Sequence, residues 1–167
     1  MQIAARPSWF QRRITRFAYT PAGLWLVSRI TRPLDHALMA LTGGRHMLIT
    51  LITGLPACMV TTIGAKSGQP RTAPLVVIPD EDTLILVASN FGGQRSPAWY
   101  YNLKAKPEAI LEVQGQSYRY QAREVSGEEY ERCWAKAAAL YPGYDYYRRR
   151  ASHRHVPVLR LTGGVPK

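Results

Sequence analysis

Residues 58–90 read CMVTTIGAKSGQPRTAPLVVIPDEDTLILVASN. Three runs rich in apolar and β-branched residues stand out: 58–63, 72–79 and 83–90. Val, Ile and Thr suit a pleated, half-buried backbone, and clusters of Gly, Pro and Asp bound such strands. Gly64, Gly68 and Pro70 turn the chain between the first two runs, and Asp80-Glu81-Asp82 turns it between the second and third. Connections this short join antiparallel neighbours, because a parallel pair needs a crossover of roughly a dozen residues or more.

The same texture continues downstream. The stretch 96–107, SPAWYYNLKAKP, predicts a helix with Ser96 as N-cap and Pro97 at its first position. Two more strands, 109–114 and 117–125, are joined by Gln114-Gly115-Gln116. A helix over 127–140 follows, with Ser126 and Glu129 at capping-box spacing. A short aromatic and basic helix at 143–150 and a strand at 156–162 complete the pattern. Six mostly antiparallel strands with helices between them predict an α+β protein, mainly β, built as a small barrel.

Upstream, 8–19 reads SWFQRRITRFAY. Trp9, Phe10, Ile14 and Phe17 recur at helical spacing, with Arg12, Arg13 and Arg16 largely opposite. A second helical pattern spans about 22–41 and stops at Gly43-Gly44. Residues 1–45 are thus expected to form a helical extension and 46–167 the barrel domain. Such an N-terminal helix suits a lipid interface, or it packs as an ordinary helix with a solvated basic face. The longest apolar run, Met47 to Val60, is interrupted by Thr50, Thr53, Gly54 and Pro56 and falls short of a span.

With 167 residues and 46% apolar content, the chain fits one globular domain and excludes a disordered polymer. The net charge of +11 is unevenly placed. Residues 1–79 hold nine cations against one acid, 80–147 seven against ten, and 148–167 six against none. That balance points to an anionic partner: a phosphate-bearing ligand, a lipid headgroup surface or nucleic acid. Nucleic acid is not expected, since no recognised reading module accompanies the charge. Cys58 and Cys133 form no metal-ligand pattern and read as buried thiols in a reducing, cytoplasmic compartment.

Three constellations carry candidate chemistry. The loop 63–75, IGAKSGQPRTAPL, sets Lys66 and Arg71 on a glycine-bent turn, a point charge and a planar fork suited to phosphate. It lacks the order of a P-loop, and the bland alternative is a hairpin with solvated cations. Next, Ser89 ends a strand just before Gly92-Gly93 and a helix start, where polar groups meet ligands. Trp99, Tyr100 and Asn102 follow on that helix. Third, Tyr141, Tyr144 and Tyr147 are spaced by three and share one side of a helical turn, either around a pocket or in a packing seam. The four histidines, His36, His46, His153 and His155, show no metal spacing, and no metal is expected. No nucleophile–His–acid triad is visible.

As a set, TTIGAKSGQPRTAPL (61–75), VASNFGGQRSPAWYYNLKAKP (87–107), AREVSGEEYERCWAKAAALYPGYDYY (122–147) and VPVLRL (156–161) resemble the deazaflavin-dependent nitroreductase family. The resemblance implies a split β-barrel of the flavin-reductase, FMN-binding type. It implies coenzyme F-420, an 8-hydroxy-5-deazaflavin with a phosphate and an oligoglutamate tail. Its reduced form donates a hydride to a conjugated, quinone-like or nitro acceptor. Carried over by residue, Lys66 and Arg71 hold the anionic tail. The backbone of Pro74, Leu75, Val76, Ala88 and Ser89 lines the deazaflavin. Ser89, Trp99, Tyr141, Tyr144 and Tyr147 shape the acceptor pocket, and Ser89, Tyr141, Tyr144 and Tyr147 are the catalytic candidates. Asn90 stands where relatives carry a lysine, and Asn102 matches without a firm role. Two alternatives stay open at this point: the same barrel holding FMN, and a non-catalytic carrier of lipids or fatty acids at a membrane surface.

Overall fold

The computed structural model describes residues 54–113 and 115–166. The expected N-terminal helices and the boundary at 45/46 lie outside the described residues. Seven strands are present among them: β1 (Ala57–Ile63), β2 (Pro70–Val76), β3 (Ile78–Asp80), β4 (Thr83–Val87), β5 (Glu108–Val113), β6 (Gln116–Glu124) and β7 (Val158–Pro166). Three α-helices accompany them: α1 (Ala98–Ala105), α2 (Gly127–Leu140) and α3 (Gly143–Arg150). All strand pairs are antiparallel, in the order β2-β1-β5-β6-β7-β4-β3.

That order dictates a rolled sheet. β2 and β3 stand at opposite edges, yet only Val77 separates them in sequence. Two residues of chain reach about 7 Å at most. Laid flat, seven strands would part their edges by roughly 29 Å. The sheet therefore curls until its edges meet at Val77, whose N–H donates to the Pro56 carbonyl at 2.8 Å. The single strand expected at 72–79 is this corner: one chain segment that leaves one edge and joins the other. A register shift between Arg119 and Gln121 in β6 adds local bend.

Period-two alternation assigns the two faces. Leu84, Leu86 and Ala88 point into the barrel with Cys58, Val60, Leu111, Tyr120, Leu159 and Leu161. Ile85 and Val87 point outward with Ile78 and Val158, and there α2 and α3 cover them with Tyr130, Cys133, Trp134, Tyr144 and Tyr147. β4 is thus apolar on both faces, which explains its unbroken TLILV run. α1 packs Tyr100 and Leu103 against the barrel interior.

Local differences from the sequence reading have physical causes. Ser96 does not cap α1; Pro97 occupies that position, and the Ser96 hydroxyl accepts from Arg154 at 3.2 Å. Ser126 is the N-cap of α2 but makes no capping hydrogen bond. Glu129, its expected partner, is instead taken by Arg123 and Arg160. Asp80, expected in an exposed turn, is buried and paired with Lys136 and Arg160. Burial raises its pKa, but hydrogen bonds from those two cations outweigh that and hold it below the usual carboxylate value.

Candidate active site

The β1–β2 hairpin carries Lys66 and Arg71, both exposed. Its turn is closed by Gly64 N–H donating to Gln69 O at 2.9 Å and by Gly68 N–H donating to Gly64 O at 2.8 Å. A Cβ at Gly64 would lie 2.6 Å from Ser67 Oγ and 3.3 Å from Gln69 O, so a side chain there would force Ser67 to turn away and press on the hairpin backbone. Among the described residues neither Lys66 nor Arg71 forms an ion pair. Asn102 supplies the rigidity. Buried on α1, it accepts from Ala65 N–H at 2.9 Å and donates to Thr62 Oγ1 at 3.0 Å. Thr62 Oγ1 in turn reaches the Arg71 carbonyl at 3.4 Å. One buried amide thus ties both flanks of the cationic turn to α1. No local pattern marks this role, because an isolated Asn on a helix looks like a surface residue.

β2 is an edge strand. Pro70 and Pro74 have no N–H and face Ile63 and Met59 of β1. Antiparallel alternation then turns the N–H of Thr72 and Val76 to the unpaired edge. The backbone at Pro74, Leu75 and Val76, half-buried beside the hairpin, therefore leaves the Val76 N–H as an unpaired edge donor.

β4 leads into a loop with unusual backbone. Asn90, Phe91 and Gly92 have φ of 47°, 54° and 73° in succession. Left-handed backbone costs a residue with a side chain about 1–2 kcal/mol, so two such residues must be held by their surroundings. Arg154 provides much of that hold. Its Nε donates to Gly93 O at 2.9 Å, its Nη2 to Ser89 O at 2.8 Å, and its Nη1 to Ser96 Oγ and to His155 O at 3.0 Å. Gly92 fits tightly against α3: a Cβ there would meet Arg150 Cβ at 2.8 Å and Tyr147 O at 3.0 Å. Phe91 sets its ring edge-on to Tyr147, with centroids 5.8 Å apart. Nothing in the local string RRRASHRH, residues 148–155, distinguishes Arg154 from its neighbours.

The structure brings the three tyrosines together. Their ring centroids lie 5.3 Å (141–144), 6.4 Å (144–147) and 6.0 Å (141–147) apart, and the hydroxyls of Tyr141 and Tyr147 approach to 3.0 Å. Tyr144 and Tyr147 are buried, Tyr141 less so. Burial pushes the Tyr144 phenol far above its ordinary value, so it stays a neutral hydrogen-bond donor. Ala88 is fully buried in the barrel and Ser89 is 8% exposed at its rim. Trp99, half-buried, packs on the barrel interior and not on the tyrosines. Trp99 and the tyrosines therefore belong to different clusters, linked through the loop that starts at Ser89 and ends at α1. His153 and His155 are exposed, and His155 lies against Tyr130 with centroids 5.1 Å apart.

The rolled antiparallel sheet with its covering helices places the chain among split β-barrel proteins of α+β class. The family model for F420H(2)-dependent quinone reductase matches residues 31–162, most of the chain, and the chain belongs to that family. An F420H(2)-dependent quinone reductase of Mycobacterium tuberculosis is 37% identical over 110 residues, covering 64% of this chain and 73% of that protein. A solved F420-H2 dependent reductase (FDR-A) superposes with a TM-score of 0.58 at 36% identity, covering 64% of this chain and 93% of that one. A second solved chain, described as a domain-swapped dimer, gives a TM-score of 0.61 at 32% identity over 76% of this chain and 94% of its own. The Vibrio cholerae heme storage protein HutZ, at 11% identity and a TM-score of 0.51 over 66% of this chain and 81% of its own, shares the fold alone.

The family's cofactor fits the residues present. A phosphate and several carboxylates call for cations free of internal acids, and Lys66 and Arg71 meet that condition among the described residues. Asp80 and Glu129 are committed to Lys136, Arg123 and Arg160.

Proposed function

We propose that this chain is an oxidoreductase that uses reduced coenzyme F-420 to reduce a quinone-type small molecule. The observation that carries the reading is the hairpin: two exposed cations, without acidic partners among the described residues, on a turn fixed by a buried asparagine. Family membership favours this over an FMN enzyme or a non-catalytic lipid carrier. When bound, the reduced deazaflavin supplies the hydride.

The chain's own residues bind, orient and exclude water. Lys66 and Arg71 hold the anionic tail, Arg71 by a fork and Lys66 as a point charge. The free edge of β2 and the rim at Ala88 and Ser89 receive the ring. Ser89, Trp99, Tyr141, Tyr144 and Tyr147 bound the acceptor side. Tyr144, buried behind Tyr141, forms the floor of that side and not its mouth. Fixing the acceptor at roughly 3–3.5 Å from the donor can supply much of the acceleration, so no strong acid or base is required. The amphipathic pattern at 8–19 supports a peripheral position on the inner face of the cell membrane, where lipid quinones reside. No helix among the described residues is long and apolar enough to cross a membrane.

The test is a fluorescence titration with F-420 and with FMN, followed by oxidation of reduced F-420 on adding a soluble quinone. Saturable F-420 binding and quinone-dependent oxidation are expected. Tight FMN binding with no response to F-420 contradicts the reading. For the membrane position, removal of residues 1–20 should abolish co-sedimentation with anionic liposomes.

A further inference from the structure

We propose that Arg154 is the positioning residue for the acceptor side of the site: its guanidinium holds the Ser89–Ser96 loop in its left-handed form and so sets Ser89, Tyr147 and Trp99 relative to one another. The proposal rests on the oxidoreductase reading.

The geometry supports it from both ends of the loop. One planar fork reaches the carbonyl where the loop leaves β4, at Ser89, and the hydroxyl just before α1, at Ser96. Between them it takes the carbonyl of Gly93, directly after the left-handed run. The loop's own bonds are few: Gly92 N–H to Ser89 O, Gly93 N–H to Asn90 O, and Asn90 Nδ2 to Arg95 O. Without the fork, a strained backbone would be closed by those contacts alone. Arg154 has no ion pair among the described residues, although it is part-buried and its charge is desolvated. Partly burying a cation without an acid partner is unfavourable unless its donors are well used, and here they are used on the loop.

The loop connects the acceptor residues. It begins at Ser89, it seats Gly92 on the Tyr147 carbonyl, and it ends at Pro97, one residue before the helix that carries Trp99. The cationic hairpin is held independently, through Asn102. Disturbing Arg154 should therefore disturb the acceptor and spare the cofactor's tail. Lysine cannot substitute: its single ammonium does not span carbonyls so disposed. Arg154 also lines an open cleft of about 430 Å³ with Ser126, Tyr130 and His155, so a small guanidinium can enter from solvent.

The experiment compares wild type, Arg154→Lys and Arg154→Ala. In the apo protein, amide hydrogen exchange at Gly92 and Gly93 should quicken in both variants, while strand amides keep their protection. The preference for F-420 over the deazaflavin riboside that lacks phosphate and glutamates should stay within about twofold, because the hairpin that holds the tail shares no partner with Arg154. The acceptor kcat/KM should fall about 10- to 100-fold, the range that a misplacement near 1 Å produces. Millimolar ethylguanidinium should restore part of the loss in Arg154→Ala and none in wild type. Unchanged exchange at Gly92 and Gly93 overturns the proposal. So does a fall in the preference for the tailed form that matches the fall in kcat/KM, which would mean general loss of structure. If wild type fails to bind F-420, the oxidoreductase reading falls, and the exchange data still decide the clamp.

Discussion

Gly92→Ala probes the junction between the loop and α3. The glycine has φ of +73°, where alanine costs about 1–2 kcal/mol. The new Cβ would stand 2.8 Å from Arg150 Cβ, 3.0 Å from Arg150 Cγ and 3.0 Å from Tyr147 O. Two of these belong to the rigid part of the helix and cannot swing aside, so loop and helix must part. Overpacking of this kind adds about 1–3 kcal/mol. The sum, about 2–5 kcal/mol, should lower Tm by about 6–14 °C in a domain of this size. Gly68→Ala is the internal control. Its φ is +65°, but nothing lies within 4 Å of the added methyl, so only the backbone cost of about 1–2 kcal/mol remains. A circular-dichroism melt of both variants should show Gly92→Ala as clearly the less stable, with acceptor kinetics impaired beyond F-420 affinity. Equal melts, or a Gly92→Ala shift below about 1 °C, would refute the packing of this loop on α3.

Asn102→Ala leaves the Ala65 N–H and the Thr62 hydroxyl without their partner, and it should weaken F-420 binding by about 1–3 kcal/mol while speeding tryptic cleavage after Lys66. Tyr144→Phe should alter turnover more than F-420 affinity; a larger change in affinity would move that tyrosine out of the acceptor side. Asp80→Asn should cost about 1–3 kcal/mol at pH 7, because the carboxylate is buried between Lys136 and Arg160. The folded pKa of Asp80 is depressed, so its contribution is full above the unfolded value of about 3.9 and is lost as pH falls through the folded value. Urea melts from pH 7 down to pH 3 should therefore bring variant and wild type together at the acid end.

Strands and helices were legible where local chemistry decides them. The helices 127–140 and 143–150 fall where periodicity places them, β1 starts one residue early, and β5 and β6 shift by one residue at each end. The break at Val77 was not legible, because Leu75-Val76-Val77-Ile78 is continuous apolar sequence. Only the pairing of its two halves with β1 and β4, strands far apart in the sheet order, reveals a corner. Ser96 and Ser126 both carry cap chemistry, yet Arg154 takes one hydroxyl and salt bridges take the partner of the other. Tertiary partners thus override local capping. The candidate site divides in the same way. Lys66, Arg71 and the tyrosines are visible by residue type, whereas Asn102 and Arg154 act through what they touch across 37 and 65 positions, a relation that no local pattern encodes.

The central claim is that the hairpin cations grip the coenzyme's acidic tail. It is tested most directly by comparing F-420 with the deazaflavin riboside that lacks phosphate and glutamates, in wild type and in Lys66→Ala/Arg71→Ala. Two charged hydrogen bonds at about 1–3 kcal/mol each imply a wild-type preference for the tailed form of roughly 30-fold or more. The double variant should lose most of that preference and keep its affinity for the riboside. An undiminished preference in the double variant would place the tail elsewhere and contradict the account.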